Sequence, residues 1–140
     1  MKKILIINAN YYKEISKKLI LNVKKKFHSN NYKISIIDVP GIYEIPIAVK
    51  KNIKKFDGFI ALGCVIKGET PHFDLICSST FNAILNLSIN FNKPIGNGII
   101  TAYSMSQARK RCENKSSKPN KGSEAASAVI SILNNVPKKI

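Results

Sequence analysis

Asp57-Gly58-Phe59-Ile60-Ala61-Leu62-Gly63-Cys64-Val65-Ile66-Lys67-Gly68-Glu69-Thr70-Pro71-His72-Phe73-Asp74 changes character halfway along. Asp57–Ile66 predicts a strand, apolar almost without interruption from Phe59 and so buried on both faces. Gly68 then permits a tight turn. Thr70-Pro71 has the chemistry of a helix start: a hydroxyl at the N-cap, then a proline at the first helical position, where a missing N–H costs little. A long helix is expected from there to about Asn90.

The same alternation extends in both directions. Lys3–Asn8 is a short Ile/Leu run, a first strand. Ile15, Leu19, Ile20, Val23 and Phe27 recur at helical spacing with lysines between them. Tyr32–Val39 predicts a second strand, and Pro40-Gly41 a turn. A helix from about Tyr43 to Asn52 carries Pro46 in its first turn. Pro94–Thr101 predicts a fourth strand. Ser104–Cys112 and Gly122–Leu133 predict helices, with a polar loop, Glu113–Lys121, between them. Strand–helix alternation with apolar strands implies a parallel sheet covered on both faces. Right-handed crossovers leave few topologies. The expected fold is α/β: a flavodoxin-like three-layer sandwich, four parallel strands in the order 2-1-3-4, as a single domain over residues 1–140. Ligands bind such sheets beyond the carboxyl ends of the strands, here after Asn8, Val39, Ile66 and Thr101.

Each of those ends carries polar or aromatic residues. After the first strand, Tyr11 and Tyr12 offer a stacking face to a planar ligand or cap the core. After the second, Glu44 sits in a first helical turn. There a carboxylate complements the helix dipole, or faces a polyhydroxyl ligand. After the third, the helix start offers free N–H groups to an anion such as phosphate. His72 lies in that turn, as a proton-transfer group beside the anion, as a surface histidine, or bonded to Asp74. After the fourth, Arg111 is one of two arginines in a lysine-biased chain and suits bidentate phosphate recognition. It is equally readable as an exposed helical arginine. Lys121 is a second candidate anion contact. No metal site is expected, because the only other histidine, His28, belongs to a lysine-rich helix end.

Composition bounds the remaining classes. The 140 residues are 44% hydrophobic, with 23 Lys+Arg against 8 Asp+Glu and a formal net charge of +15. That excess raises a basic nucleic-acid-binding module as the rival class. All the basic residues except Arg109 and Arg111 are lysines, scattered in pairs and triplets such as Lys24-Lys25-Lys26. Lys, Ile and Asn share A/T-rich codons and all three abound, so most lysines are expected on solvated faces. The apolar run after Met1-Lys2-Lys3 stops at Asn8, too short for a signal peptide, so export is not expected. Cys64, Cys77 and Cys112 are odd in number and lack metal-ligand spacing, as suits reduced thiols in the cytoplasm.

Several of these stretches resemble one family throughout the chain. They are Val39-Pro40-Gly41-x-x-Glu44-Ile45-Pro46, Leu62 to Asp74 as quoted, and Gly98-Ile99-Ile100-Thr101. Gln107-Ala108-x-x-Arg111 and Asn120-Lys121-Gly122-x-Glu124-Ala125-Ala126 complete the set. The chain resembles the lumazine synthases of riboflavin biosynthesis. The resemblance implies condensation of 5-amino-6-(D-ribitylamino)uracil with 3,4-dihydroxy-2-butanone 4-phosphate to 6,7-dimethyl-8-ribityllumazine, with no cofactor. It implies that Tyr11 stacks on the pyrimidine and that Cys64, Val65 and Ile66 line its pocket through their backbone. Ile42, Tyr43 and Glu44 would hold the ribityl chain. Glu69 and Thr70 would give N–H groups to the phosphate, with Arg111 as its charged partner and Lys121 nearby. His72 would transfer protons, and Asn97 would reach the pocket across a subunit boundary. Arg111, Lys121 and the helix N-terminus would together face one phosphate. A homopentamer or a multiple of it is implied, with no nucleic-acid or membrane partner. Three features depart from the family pattern. Asn10-Tyr11-Tyr12 stands where Arg-Phe-Asn is usual, and Asn97 where many members have an aromatic. The sequence also starts at the first strand, and Glu113–Lys121 looks long, both favouring a pentamer or a pair of pentamers over a shell. A flavin carrier is the third class, on fold analogy alone.

Overall fold

The computed structural model describes residues 1–29, 31–114 and 119–140. Strand β1 (Lys2–Ala9) leads to helix α1 (Lys13–Lys26), and β2 (Tyr32–Val39) to a 3-10 turn at Ile42–Glu44 and helix α2 (Ile45–Asn52). Strand β3 (Gly58–Ile66) leads to helix α3 (His72–Phe91), and β4 (Ile95–Ala102) to helices α4 (Met105–Cys112) and α5 (Lys121–Leu133). The strands form one parallel sheet in the order β2-β1-β3-β4, the expected topology.

Side chains alternate across a strand, so the sheet builds two cores. Ile4 and Ile6 of β1, Ile60 and Leu62 of β3 and Ile100 of β4 face one side. There they meet Ile15, Leu19 and Val23 of α1 and Ala125 and Val129 of α5. Leu5, Ile7, Phe59, Ala61 and Ile99 face the other, against Ile45 and Val49 of α2 and Ile84 of α3. Helices α4 and α5 therefore lie across the sheet from α3, which matters for the site.

Local boundaries differ from the sequence reading in three places. The helix expected from Tyr43 begins at Ile45, because the chain first makes the 3-10 turn, with the Glu44 N–H donating to the Gly41 carbonyl at 3.2 Å. The helix expected to be capped by Thr70 begins at His72 with Pro71 as N-cap, yet the Thr70 hydroxyl still accepts from the His72 N–H at 3.4 Å. Gly68 has no left-handed backbone, and a Cβ there would meet nothing within 4 Å, so the turn does not require glycine. At its far end α3 stops at Asn92, which takes the left-handed conformation (φ 54°) while Lys93 N–H returns to the Ser88 carbonyl. Asparagine tolerates that conformation better than other residues with a Cβ. Residues 115–118 of the expected Glu113–Lys121 loop lie outside the described residues, so its length carries no structural statement.

Candidate active site

A cavity of about 500 Å³ opens beyond the carboxyl ends of β1 and β3. Tyr11 and Tyr12 enter from the end of β1, and Ile42, Tyr43 and Glu44 from the turn after β2. Cys64, Val65 and Ile66 enter from the end of β3, and His72 from the start of α3. Three separate strand ends thus deliver eight of the residues singled out in the sequence, with Tyr12 as a ninth wall, to one concavity.

The two tyrosines divide the alternatives between them. Tyr12 is half-buried against the α1-side core, and burial raises its phenol above the usual range. Tyr11 is 74% exposed and meets Tyr12 edge-on, ring centroids 4.9 Å apart, leaving its face open. Ile42 is buried, and its Cγ2 would sit 2.7 Å from a Cβ at Gly63, so its side chain belongs to the core and it can offer a ligand only backbone. Tyr43 is exposed, and the half-buried Glu44 makes no capping bond to α2. Its Oε1 lies over Gly41, where a Cβ would be 3.8 Å away.

Cys64 forms the floor. It is buried, and desolvation, with a smaller contribution from Cys112, pushes its thiol up to about 12. A thiol held so far above neutrality is no nucleophile. His72 is exposed, and among the described residues no side chain hydrogen-bonds its imidazole, Asp74 included. Its ring is therefore free to meet a ligand. Glu69 and Thr70 are exposed on the approach to α3 and border no described cavity.

Asn97, Arg111 and Lys121 are elsewhere. They line a second cavity of about 640 Å³ along the free edge of β4. Arg111 Nη2 stands 3.8 Å from Glu124 Oε2, and Asn97 Oδ1 accepts from the Ile99 N–H at 3.1 Å. The expectation that Arg111, Lys121 and the α3 N-terminus face one phosphate is therefore not met within one chain. The reason is the layering: α4 and α5 pack on the sheet face opposite α3, and β4 stands between. The second cavity also holds Tyr103 and Phe81, which the sequence reading passed over. Tyr103 had a legible signal, because it stands just beyond a strand end, as Tyr11 does. It is 71% exposed, with Lys67 Nζ 5.5 Å from its ring centroid.

Among the described residues, no three His, Cys, Asp or Glu side chains gather to hold a metal ion, and no helix is long and apolar enough to cross a membrane. The three cysteines are free.

Comparison with known proteins agrees in one direction. The profile of the family described as 6,7-dimethyl-8-ribityllumazine synthase matches residues 1–136. The synthase of that name from Campylobacter jejuni is 42% identical over 137 residues, covering 94% of this chain and 88% of its own. Those from Campylobacter lari (38%, 97% and 89% covered) and Methylorubrum populi (36%, 94% and 80% covered) are similar too. With its fold, strand-end cavity and near full-length match, the chain belongs to the lumazine synthase family, transferases of riboflavin biosynthesis.

Proposed function

We propose that the chain condenses 5-amino-6-(D-ribitylamino)uracil with 3,4-dihydroxy-2-butanone 4-phosphate in the strand-end cavity, with the residues in the following roles. The open face of Tyr11 stacks on the pyrimidine, and the backbone of Cys64, Val65 and Ile66 reads its edge. Ile42, through its backbone, Tyr43 and Glu44 hold the ribityl hydroxyls. The amides of Glu69 and Thr70 take the phosphate at the start of α3. Arg111 and Lys121 of a neighbouring copy supply its countercharge, and Asn97 of that copy forms a pocket wall.

The amine attacks the ketone and water leaves, giving an imine. Phosphate departs by elimination, and the ribitylamino nitrogen closes the ring with loss of a second water. These steps require orientation, a phosphate clamp and proton transfer. His72 moves the protons, since its imidazole is unengaged and faces the cavity. Cys64 stays a neutral thiol and takes no covalent part.

The observation that carries this reading is the convergence of Tyr11, Glu44, Cys64 and His72 on one cavity from three strand ends. Purified protein with both substrates is expected to release phosphate and form a fluorescent lumazine. His72→Ala is expected to slow turnover by about tenfold or more. Unchanged turnover in that variant would remove His72 from its role.

The proposal extends to assembly. Leu75, Leu85 and Ile89 of α3 are each more than half exposed, and Ile36 of the edge strand β2 is 44% exposed. Apolar surface of this kind is usually covered by a partner. A homopentamer, or a pair of pentamers, covers it and completes each site from two copies. Light scattering that gave a monomer or a sixty-subunit particle would overturn this. One catalytic domain working in the cytoplasm fits the three free thiols.

A further inference from the structure

The lysines of this chain are not distributed alike. The ion pairs among the described residues all involve α1, α4, α5 or the residue just after α4: Lys18 with Glu14 and Glu113, Arg109 with Glu14, and Arg111 with Glu124. At the opposite end of the sheet from the strand-end cavity, four lysines from three segments border one concavity of about 400 Å³. Lys3 of β1 and Lys33 of β2 are register partners, so their side chains leave the same face of the sheet side by side. Lys54 and Lys55 come from the turn that follows α2. Ser35 and Phe56 complete the wall, and Phe56 is braced edge-on by Phe59 at 6.1 Å.

The polar groups nearest these lysines are turned to other partners. Asp57 Oδ2 accepts from the Lys3 backbone N–H at 2.7 Å. The Ile53 and Phe56 carbonyls, which would otherwise attract ammonium groups to the end of α2, accept from Lys93 Nζ. None of the four lysines has an ion-pair partner among the described residues. Like charges directly opposite on a sheet face are destabilising. Single lysines relieve such repulsion by splaying into water, but four that rim one concavity also create a shared positive field focused into it.

We propose that this concavity is a binding site for a linear phosphate chain, such as an inorganic polyphosphate or the phosphates of a nucleoside triphosphate. Ammonium groups act as point charges without the planar fork of arginine, so they suit a flexible chain of several phosphates better than one oriented monoester. The Ser35 hydroxyl adds one hydrogen bond. The site uses none of the residues assigned to catalysis, so it stands apart from the enzymatic reading.

Isothermal titration with tripolyphosphate, pyrophosphate and ATP at low and moderate salt tests this. Four forms are compared: the unchanged protein, Lys33→Gln/Lys55→Gln, Arg111→Gln, and the control Lys24→Gln/Lys25→Gln, which removes equal charge from α1. The first double substitution is expected to weaken tripolyphosphate binding by roughly tenfold or more and to leave lumazine formation unchanged, whereas the control stays within about twofold. ATP binding as tightly as tripolyphosphate identifies a nucleotide source, and weaker ATP binding an inorganic one. Equal weakening in both doubles would mean diffuse charge and overturn the proposal. So would no measurable binding at low salt. Binding that survives in Lys33→Gln/Lys55→Gln but is lost in Arg111→Gln would place the anion in the phosphate position of the enzymatic site, and would also overturn it.

Discussion

The two cavities at the carboxyl side of the sheet are built from opposite materials. The strand-end cavity collects aromatic, backbone and carboxylate groups around His72, with no lysine or arginine on its wall. The cavity along β4 collects Lys110, Arg111 and Lys121 beside Tyr103 and Asn97. A reaction that needs both a planar-ligand pocket and a phosphate clamp finds half of its requirements in each. The lesson is that one copy of this chain divides these groups between two cavities, and the proposed reaction joins them by pairing copies. The three-layer architecture explains the split, because α3 and the α4–α5 pair sit on opposite faces of the sheet.

The most severe way to break that comparison is to disable each half in a different chain. Arg111→Ala alone is expected to lose roughly a hundredfold or more in kcat/KM, the scale of a removed charge clamp. A randomly reassembled mixture of Arg111→Ala and His72→Ala chains is expected to regain about a quarter of full activity, because only that fraction of shared sites pairs two intact halves. Activity of the mixture no higher than that of its components would show that both halves act within one chain.

A smaller effect sharpens the second cavity alone. Gly122 follows Lys121, and a Cβ there would sit 2.6 Å from the backbone oxygen of Leu19, where α5 crosses α1. Gly122→Ala is expected to cost about 1–3 kcal/mol in urea unfolding. It is also expected to raise KM for the phosphate substrate more than that for the pyrimidine, since Lys121 moves with the helix. Equal changes in both KM values would mean that the helix shift is not confined to the β4 cavity.

The gentlest effect concerns the floor of the first cavity. An unfolded Cys64 ionises near 9.0, whereas the folded thiol resists ionisation up to about 12. The contribution to stability is therefore constant below 9.0 and lost progressively as pH rises towards 12. Burial raises Cys77 and Cys112 in the same direction. Urea midpoints are expected to fall over that alkaline range, and less steeply in Cys64→Ala. A slope unchanged by the substitution would assign the alkaline loss to other groups.

Most of the fold was legible because its strands are parallel and buried. Runs such as Ile4 to Ile7 and Phe59 to Leu62 have no wet face to blur their pattern, and crossover handedness then sets the order. Boundaries were less legible where short-range bonding competes: the 3-10 turn before Ile45, the helix start at His72 and the left-handed Asn92 depend on local hydrogen bonds that periodicity does not record. The strand-end cavity was readable as well, since the residues singled out there end a strand or follow one. The exposure of β2 was legible only through the expected order, which puts it at an edge, because the composition of Ile34, Ile36 and Ile37 by itself reads like a central strand.

By itself, then, the sequence determined the parallel α/β sandwich, the strand order, the family and the residue types gathered at the strand ends. The sandwich and its order follow from periodicity and crossover handedness along one dimension, and the family from the resemblance of whole motifs. Only the tertiary structure decided that Tyr12 packs on the core while Tyr11 keeps an open face, that Ile42 can offer only its backbone, and that Arg111 and Lys121 are parted from the start of α3. Those are matters of which sheet face a helix packs on and which atoms it covers. Residues far apart in the chain settle them together, and no local pattern records them.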